Sequence, residues 1–455
     1  MKYRKSLFTF RRDLRLDDNT GLIRALEQSE TVLPCFIFDP RQVVDNPYRS
    51  DNAILFMKES LDDLENQLRL KGGRLYCFSG QPEDVVSSII RDESIDAVFL
   101  NRDYTPFSID RDRVIKNICE DRAVKFISCD DLLINDPDDV QKKDGTPYTV
   151  FTPFFRKSSE RPVHMPRENS LQNYYTANVP GETGFDYKRA LTPSERPALR
   201  GGREQCLRIL ERLVEFRGYV DDRDYPARRT TRLSAHLKFG TCSIREAYHA
   251  VRESLGQTHE LLRQLYWRDF FTYIGYHYPH VFRGPFQRRY LSMEWDRDEK
   301  RFGAWCRGET GFPVVDAGMR ELNETGYMHN RVRMIVSSFL TKDLHLDWRM
   351  GEEYFATKLI DYDPCVNNGN WQWAASTGCD AAPYFRVFNP WLQQMKFDPD
   401  CTYIRQWVSE LARADVALIN SPERDKNAIM GYPAPMVDHA KERVRSISRF
   451  RDYTG

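Results

Sequence analysis

The chain lacks net charge. Across 455 residues, 67 Lys and Arg are matched by 67 Asp and Glu. That balance excludes a protein whose overall field gathers nucleic acid, so any such surface has to be a local basic patch. Long apolar runs are missing as well, and none approaches the roughly 18–20 residues of a membrane-spanning helix. With 41% hydrophobic and 29% charged residues, a soluble globular protein with no membrane association is expected. The first residues, MKYRKSLFTFRRDLRL, carry neither the apolar core nor the small-residue cleavage site of a secretory signal, so the expected location is cytoplasmic. The ten cysteines contain no Cys-x-x-Cys, Cys365 and Cys379 are not spaced as zinc ligands, and the nine histidines form no His-Glu-x-x-His. Reduced thiols and no metal site are expected. There is no Ser/His/Asp or Cys/His arrangement of a nucleophilic enzyme, and no Gly-x-Gly-x-x-Gly follows an apolar run. If the chain is an enzyme, its chemistry resides in a cofactor.

What is present begins with alternation. Residues 1–130 contain the short apolar runs SLFTF (6–10), VLPCFIFD (32–39), RLYCFSG (74–80), AVFLN (97–101) and KFISC (125–129), separated by longer amphipathic stretches such as 52–70. Strands alternating with helices predict a parallel, doubly wound α/β sheet. Ligands of such sheets sit beyond the carboxyl ends of the strands, which points to the loops at 10–18, 38–41 and 101–106. Residues 131–200 are rich in Pro, Asp and Arg and read as an interdomain linker with some local helix. From 201 to 455 the periodicity is helical, with long helices expected at 243–255, 258–276, 316–325, 328–341 and 401–412, so an all-α domain is expected there.

The densest chemistry lies between Gly326 and Trp391. It combines Trp348, Trp371, Trp373 and Trp391 with Arg331, Arg333, Arg386, Asn330, Asn367, Asn368, Asp361 and Asp363. Aromatics interleaved with Arg and Asn suit nucleotides or flavins, although an aromatic helical core with a charged face has the same composition. Arg333 facing Asp361 or Asp363 would make a buried ion pair, for which a purely structural role is a serious alternative. Upstream, Thr230, Thr231 and Ser234 precede a helical run and are flanked by Arg228, Arg229 and Arg232. Hydroxyls and backbone N–H groups at a helix start can hold a phosphate, or simply cap the helix. Gln264, Trp267 and Arg268 share one face of a second aromatic helix.

These segments make the chain resemble the photolyase/cryptochrome family along essentially its whole length. The segments are FRRDLRLDDNTGL (10–22), TTRLSAHLKFG (230–240), WRDFF (267–271), TGFPVVDAGMRELNETGYMHNRVRM (310–334) and the stretch from Ile360 to Trp391. Within the family the chain is most similar to the class I enzymes that repair cyclobutane pyrimidine dimers in DNA. The resemblance implies an antenna-pigment domain (1–130), a linker (131–200) and a helical FAD-binding catalytic domain (201–455). It implies FAD held by Tyr219, Thr230, Thr231, Arg232, Leu233, Ser234, Arg268, Arg333, Asp361 and Asp363, with Asn367 facing flavin N5. UV-damaged DNA would be met by Gln264, Trp267, Asn330, Arg331, Met334, Trp373 and Arg386. Trp371, Trp348 and Trp295 would form an electron relay from flavin to surface.

Two positions depart from the pattern: Gln264 stands where most of these enzymes carry Glu, and Leu261 where some carry Trp. Gln keeps an acceptor and gains donors, yet cannot supply a proton. The (6-4) photolyases share that Gln, but they place His where this chain has Asn330 and Met334. Plant cryptochromes place Asp where this chain has Asn367. That difference, and a sequence ending at Gly455 without a signalling extension, favour repair over photoreception. An antenna pigment is expected through Asp103 and Lys238, with 8-hydroxy-5-deazaflavin favoured over methenyltetrahydrofolate, whose contact positions read Phe107 and Ser108 here. A monomer is expected.

Overall fold

The computed structural model describes residues 2–183, 191–194, 196–421 and 431–453. Each of the five apolar runs becomes a strand: β1 Tyr3–Phe10, β2 Ser29–Phe38, β3 Tyr76–Ser79, β4 Ala97–Asn101 and β5 Lys125–Cys129. They pair in parallel in the order β3-β2-β1-β4-β5, with Leu7 in register with Leu33 on one side and Val98 on the other. Every residue of β4 is buried, which is why its sequence is a continuous apolar run and not an alternating one. Helices Thr20–Gln28, Asp51–Leu70, Pro82–Asp92 and Pro106–Asp121 connect the strands. Asn19, Ser50 and Thr105 each start one of them by accepting a backbone N–H. The strand order reverses at β1, so the loops following β1 and β4 leave the sheet at its switch point.

By contact, the chain forms two compact units, and their cut differs from the compositional boundary near 200. The first comprises 1–193, 199–217 and 231–279. Later segments join it through charge. Arg245 bonds Asp18 (2.8 Å) and Asp131 (2.8 Å), Arg15 bonds Asp131 (2.5 Å), and Arg203 bonds Glu246 (2.6 Å). Burial works to raise the Asp131 carboxyl, but the two guanidinium groups outweigh it and hold it far below its ordinary value. Leu14 N–H donates to Phe239 C=O, and Gly240, at φ +66°, passes so near Arg12 that a Cβ would stand 2.1 Å from its carbonyl oxygen. The Pro-rich segment read as a linker is tied down in the same unit. Tyr175 N–H bonds the Val32 carbonyl, and helix Phe151–Ser159 packs through Phe154 on Phe270 of helix Glu260–His277.

The second unit comprises 194–198, 218–230 and 280–455. Helices Pro313–Thr325, Asn330–Ser338, Trp348–Lys358, Pro364–Ala374 and Pro390–Phe397 enclose a core that includes Phe312, Leu322, Met328, Phe339, Leu340 and Trp371. The helix expected over 328–341 widens at its end into a π-helical turn, Phe339–Asp343. The helix expected over 401–412 breaks into Thr402–Trp407 and the 3-10 turn Ser409–Leu411. The C-terminal helix His439–Arg451 docks through Arg445 and Arg449 on Asp296, His439 on Asp343 and Glu442 on His345. Among the described residues no helix is long and apolar enough to cross a membrane.

Candidate cofactor and nucleic-acid site

In the second unit the Asp361–Asn368 stretch is built around one helix start. Asp363 is the N-cap of Pro364–Ala374, accepting from Cys365 N–H (2.9 Å) and Val366 N–H (3.1 Å). This fixes the backbone so that Asn367 falls one turn in, with its side chain buried. Arg333 reaches Asp361 at 3.0 Å, as its expected pairing requires, and also donates through Nε to the Met328 carbonyl at 2.7 Å. Burial alone would lower the Arg333 guanidinium, but Asp361 and Tyr327 reverse that and leave its pKa raised. A fixed guanidinium–carboxylate pair, a helix-start carboxylate and two buried amides are a donor set that fits a flavin nucleotide.

The tryptophans assigned to the relay share one core. Trp371 and Trp348 are buried in it and Trp295 packs at its margin. Gly351 lies against the Trp371 indole so closely that a Cβ would be 2.1 Å from Cη2, which puts the Trp348 helix in direct contact with that ring. Asp296 N–H donates to His345 C=O and residue 296 bridges to Leu346, bringing Trp295 beside the start of the Trp348 helix. Trp371 also meets Phe355 at 5.0 Å and Trp305 at 6.2 Å.

The candidate DNA contacts of this unit differ in how occupied they are. Asn330 is exposed and lies over Met334, Nδ2 to Sδ 3.8 Å, on one face of helix Asn330–Ser338. Arg331 is held by Asp224 at 2.6 Å and lies over the Phe397 ring at 4.5 Å. Arg386 is exposed beside Phe385, which is 60% exposed, and Trp373 is half-buried. Tyr219 and Thr230 are half-buried on the segment 218–230.

Thr231, Arg232, Leu233 and Ser234 belong to the first unit. Arg232 takes a left-handed φ of 52° and Ser234 opens the short helix Ser234–Phe239. On helix Glu260–His277, Gln264 Nε2 donates to Glu260 at 2.9 Å. Arg268 is engaged by Asp269 (2.9 Å) and by the carbonyls of Leu132 and Leu237. Trp267 stacks on Phe151. Asp103 bonds Arg12 (3.3 Å) and Ser108 (3.1 Å), and Arg12 also bonds the Lys238 carbonyl at 3.3 Å, so the two residues expected at an antenna pigment are neighbours. Burial would raise the Asp103 carboxyl, but Arg12, Arg11 and Lys238 bring it below its ordinary value.

Three residues near these sites escaped sequence reasoning. Phe151 sat in a stretch that its prolines marked as connector. Asp224 is one of several acids in DDRDYP. Glu352 is buried beside Asn367, and nothing separates it in sequence from the exposed Glu353.

Residues 6–169 match the DNA photolyase family and residues 261–452 match the FAD binding domain of DNA photolyase. A deoxyribodipyrimidine photo-lyase of Alkalihalophilus pseudofirmus is 37% identical, over 97% of this chain and 97% of that protein. Among solved structures, an archaeal photolyase from Sulfolobus tokodaii, determined with two FAD molecules, is 45% identical with a TM-score of 0.89, covering 98% of this chain and 100% of that one. A class III photolyase from Agrobacterium tumefaciens is 34% identical with a TM-score of 0.90, covering 100% and 98%. A Synechocystis cryptochrome is 27% identical with a TM-score of 0.87, covering 98% and 100%. The chain belongs to the photolyase/cryptochrome family, and within it stands with the enzymes called deoxyribodipyrimidine photo-lyases. It carries that family's FAD-binding domain.

Proposed function

We propose that this protein splits cyclobutane pyrimidine dimers in UV-damaged DNA, driven by blue light absorbed at bound FAD. The observation that carries the reading is the Arg333–Asp361 pair with Asp363 and Asn367 beside it, inside the matched FAD-binding domain. The relatives' shared name supports the dimer as substrate. When bound and reduced, FAD would supply a photoexcited electron to the dimer and accept it back after ring opening. The chain's part is to bind, orient and exclude water. Trp267 and Trp373 offer flat faces to extruded bases, Arg386 and Arg331 offer charge to flanking phosphates, and Gln264 offers hydrogen bonds to a base edge without a transferable proton. Trp371, Trp348 and Trp295 serve re-reduction. Tyr219, Thr230, Thr231, Arg232, Leu233, Ser234 and Arg268 are assigned to the cofactor on the family resemblance, and the helical part of the chain, 201–455, is the proposed FAD domain.

A photoreceptor of cryptochrome type is the second reading, favoured by the Synechocystis neighbour. An antenna pigment at Asp103 and Lys238 completes the proposal. It is 8-hydroxy-5-deazaflavin on the sequence reading, or a second FAD by likeness to the Sulfolobus protein. A cytoplasmic monomer is proposed. Purified protein incubated with cyclobutane-dimer and (6-4) substrates, in light and in dark, tests the activity: light-dependent reversal of the cyclobutane dimer alone is expected. Binding of damaged DNA without reversal of either lesion would leave photoreception. Pigment extracted from the same preparation identifies the antenna.

A further inference from the structure

Arg331 lies in the first turn of helix Asn330–Ser338, where the His329 side chain accepts its backbone N–H at 3.2 Å. Its own side chain is 15% exposed and lies over the Phe397 ring, 4.5 Å from guanidinium carbon to centroid. Phe397 is buried, so the guanidinium is packed on a fixed surface. Its anion is Asp224, one Nη to one Oδ at 2.6 Å. Arg331 Nε is buried with no hydrogen-bond partner among the described residues, so the pair is one-pronged. Arg320 and Glu410 of the same unit show the contrast: two parallel contacts at 2.7 and 3.0 Å, the fork in which Arg and carboxylate bind most strongly.

The two partners also differ in freedom. Asp224 has 36% of its side chain exposed and sits on the segment 218–230, where the next residue, Tyr225, meets Phe397 only edge-on at 6.1 Å. A released Asp224 carboxylate passes into water, with Arg223 4.0 Å away. The guanidinium cannot follow. It stays against Phe397, with the exposed Lys396 ammonium 5.0 Å from the same ring. Opening the pair therefore leaves a part-desolvated cation short of an anion, and a second anion has to take the place of the first.

We propose that Asp224 is an internal stand-in for a DNA phosphate: it holds Arg331 in the free protein, gives it up to the backbone of bound DNA and takes it back as the DNA leaves. The inference rests on the DNA reading above and deepens it. A desolvated guanidinium with no other anion would hold a phosphate strongly and slow its departure. An anion tethered on the same unit competes at the effective concentration of an intramolecular group, so each time the phosphate contact opens, Asp224 recaptures Arg331 before the contact re-forms. Asp224 is thus a positioning residue for release. The exchange makes and breaks no covalent bond.

The test is a double-mutant cycle of Asp224→Asn and Arg331→Ala in the full chain with FAD bound. Association with, and dissociation from, a duplex carrying one cyclobutane dimer are timed in the dark at several salt concentrations. Asp224→Asn is expected to dissociate roughly two- to fivefold more slowly, the weight of a part-exposed ion pair. That gain should shrink as salt rises, because salt screens the pair. With Arg331→Ala already present, Asp224→Asn should leave dissociation unchanged. A gain that lies wholly in association, or that persists without Arg331, would make Asp224 an ordinary surface charge and overturn the inference. Weaker binding together with loss of bound flavin would mark the pair as a structural tie of segment 218–230 and overturn it as well. Should Asp224→Asn fail to fold, Asp224→Ser removes the same charge and decides. Light-dependent dimer splitting with an unaltered dissociation rate in the variant removes only this inference. A protein that neither splits dimers nor prefers dimer-containing DNA removes the proposed function too.

Discussion

Trp267 lies flat on Phe151, ring centroids 3.7 Å apart and planes 8° apart. Arg263 stands over Phe151 at 5.2 Å, and Phe271 tilts against the indole at 5.5 Å. One indole face is thus already spent on the protein, and the ring is held in one orientation before any base arrives. Trp267→Ala should weaken binding of dimer-containing DNA by roughly 1–3 kcal/mol, the range for one base–aromatic stack. It should leave binding of undamaged DNA and the salt dependence unchanged. Phe151→Ala keeps the indole but releases its orientation, so a smaller loss confined to damaged DNA is expected. Titrations of both variants on both DNAs check this, and equal weakening on undamaged DNA would mark Trp267 as a packing residue.

Arg386 and Arg331 should not behave alike. Arg386 is exposed, whereas Arg331 must leave Asp224 to meet a phosphate. Arg386→Ala is expected to weaken damaged and undamaged DNA together and to reduce the slope of log affinity against log salt by about one unit. Arg331→Ala should change that slope less. Binding at several salt concentrations separates the two.

Trp371→Phe should sharply slow light-driven reduction of oxidised FAD, while protein reduced beforehand keeps its repair rate. Trp305 offers the control. It too touches Trp371, but it is fully buried, donates to the Val336 carbonyl at 3.1 Å and leads on to Phe302 and Phe355. Trp305→Phe is expected to leave both rates unchanged. Transient absorption after a flash reads the first rate and a dimer assay the second; unimpaired reduction in Trp371→Phe would remove the relay.

Lys342 is fully buried, donates to Ser376 at 2.9 Å and has no carboxylate partner among the described residues. Burial depresses its pKa well below the ordinary lysine value. The unfolded chain therefore binds the proton more readily than the folded one, and folding gains stability as pH rises toward the unfolded pKa of about 10.4. Lys342→Met should be more stable than the unaltered protein near neutral pH, by roughly 1–4 kcal/mol if it follows other replacements of buried charge by apolar groups. The difference should narrow in alkali. Urea melts from pH 6 to 10 measure it.

Asp343 titrates in the opposite sense. Burial raises its carboxyl to about 6, despite His439 at 2.5 Å. Its contribution to stability is complete below the ordinary carboxylate pKa and is lost as pH rises through about 6. Asp343→Asn, which cannot ionise, should remove that fall from the pH profile of thermal melting.

The sheet was legible because a parallel strand buried on both faces has to be a bare apolar run, and Ala97–Asn101 is one. The Arg333–Asp361 contact was legible in kind, since an Arg and two acids in the same dense stretch invite a buried ion pair, although the residues alone left Asp363 as an equal partner. Phe151 was not, because prolines at 147 and 153 carry the signature of a connector, whereas Pro153 in fact lies in the first turn of helix Phe151–Ser159. Glu352 and Glu353 are adjacent and chemically identical; only the position of the Asn367 helix makes one buried and the other exposed. The Asp343–His439 pair joins residues nearly a hundred positions apart, beyond any periodicity that a sequence displays.

Arg245 closes a charge cluster whose acids, Asp18 and Asp131, are made much earlier. At roughly 5–20 residues per second, a ribosome takes about 6–23 seconds to extend the chain from Asp131 to Arg245. Through that interval the emerging sheet carries Asp18 and Asp131 without Arg245, and without the later helices that pack in its unit. An incomplete unit of this kind leaves apolar surface uncovered, and transient dependence on holding chaperones is expected of it. Slowing translation between these two positions should lengthen that dependence without altering the finished protein.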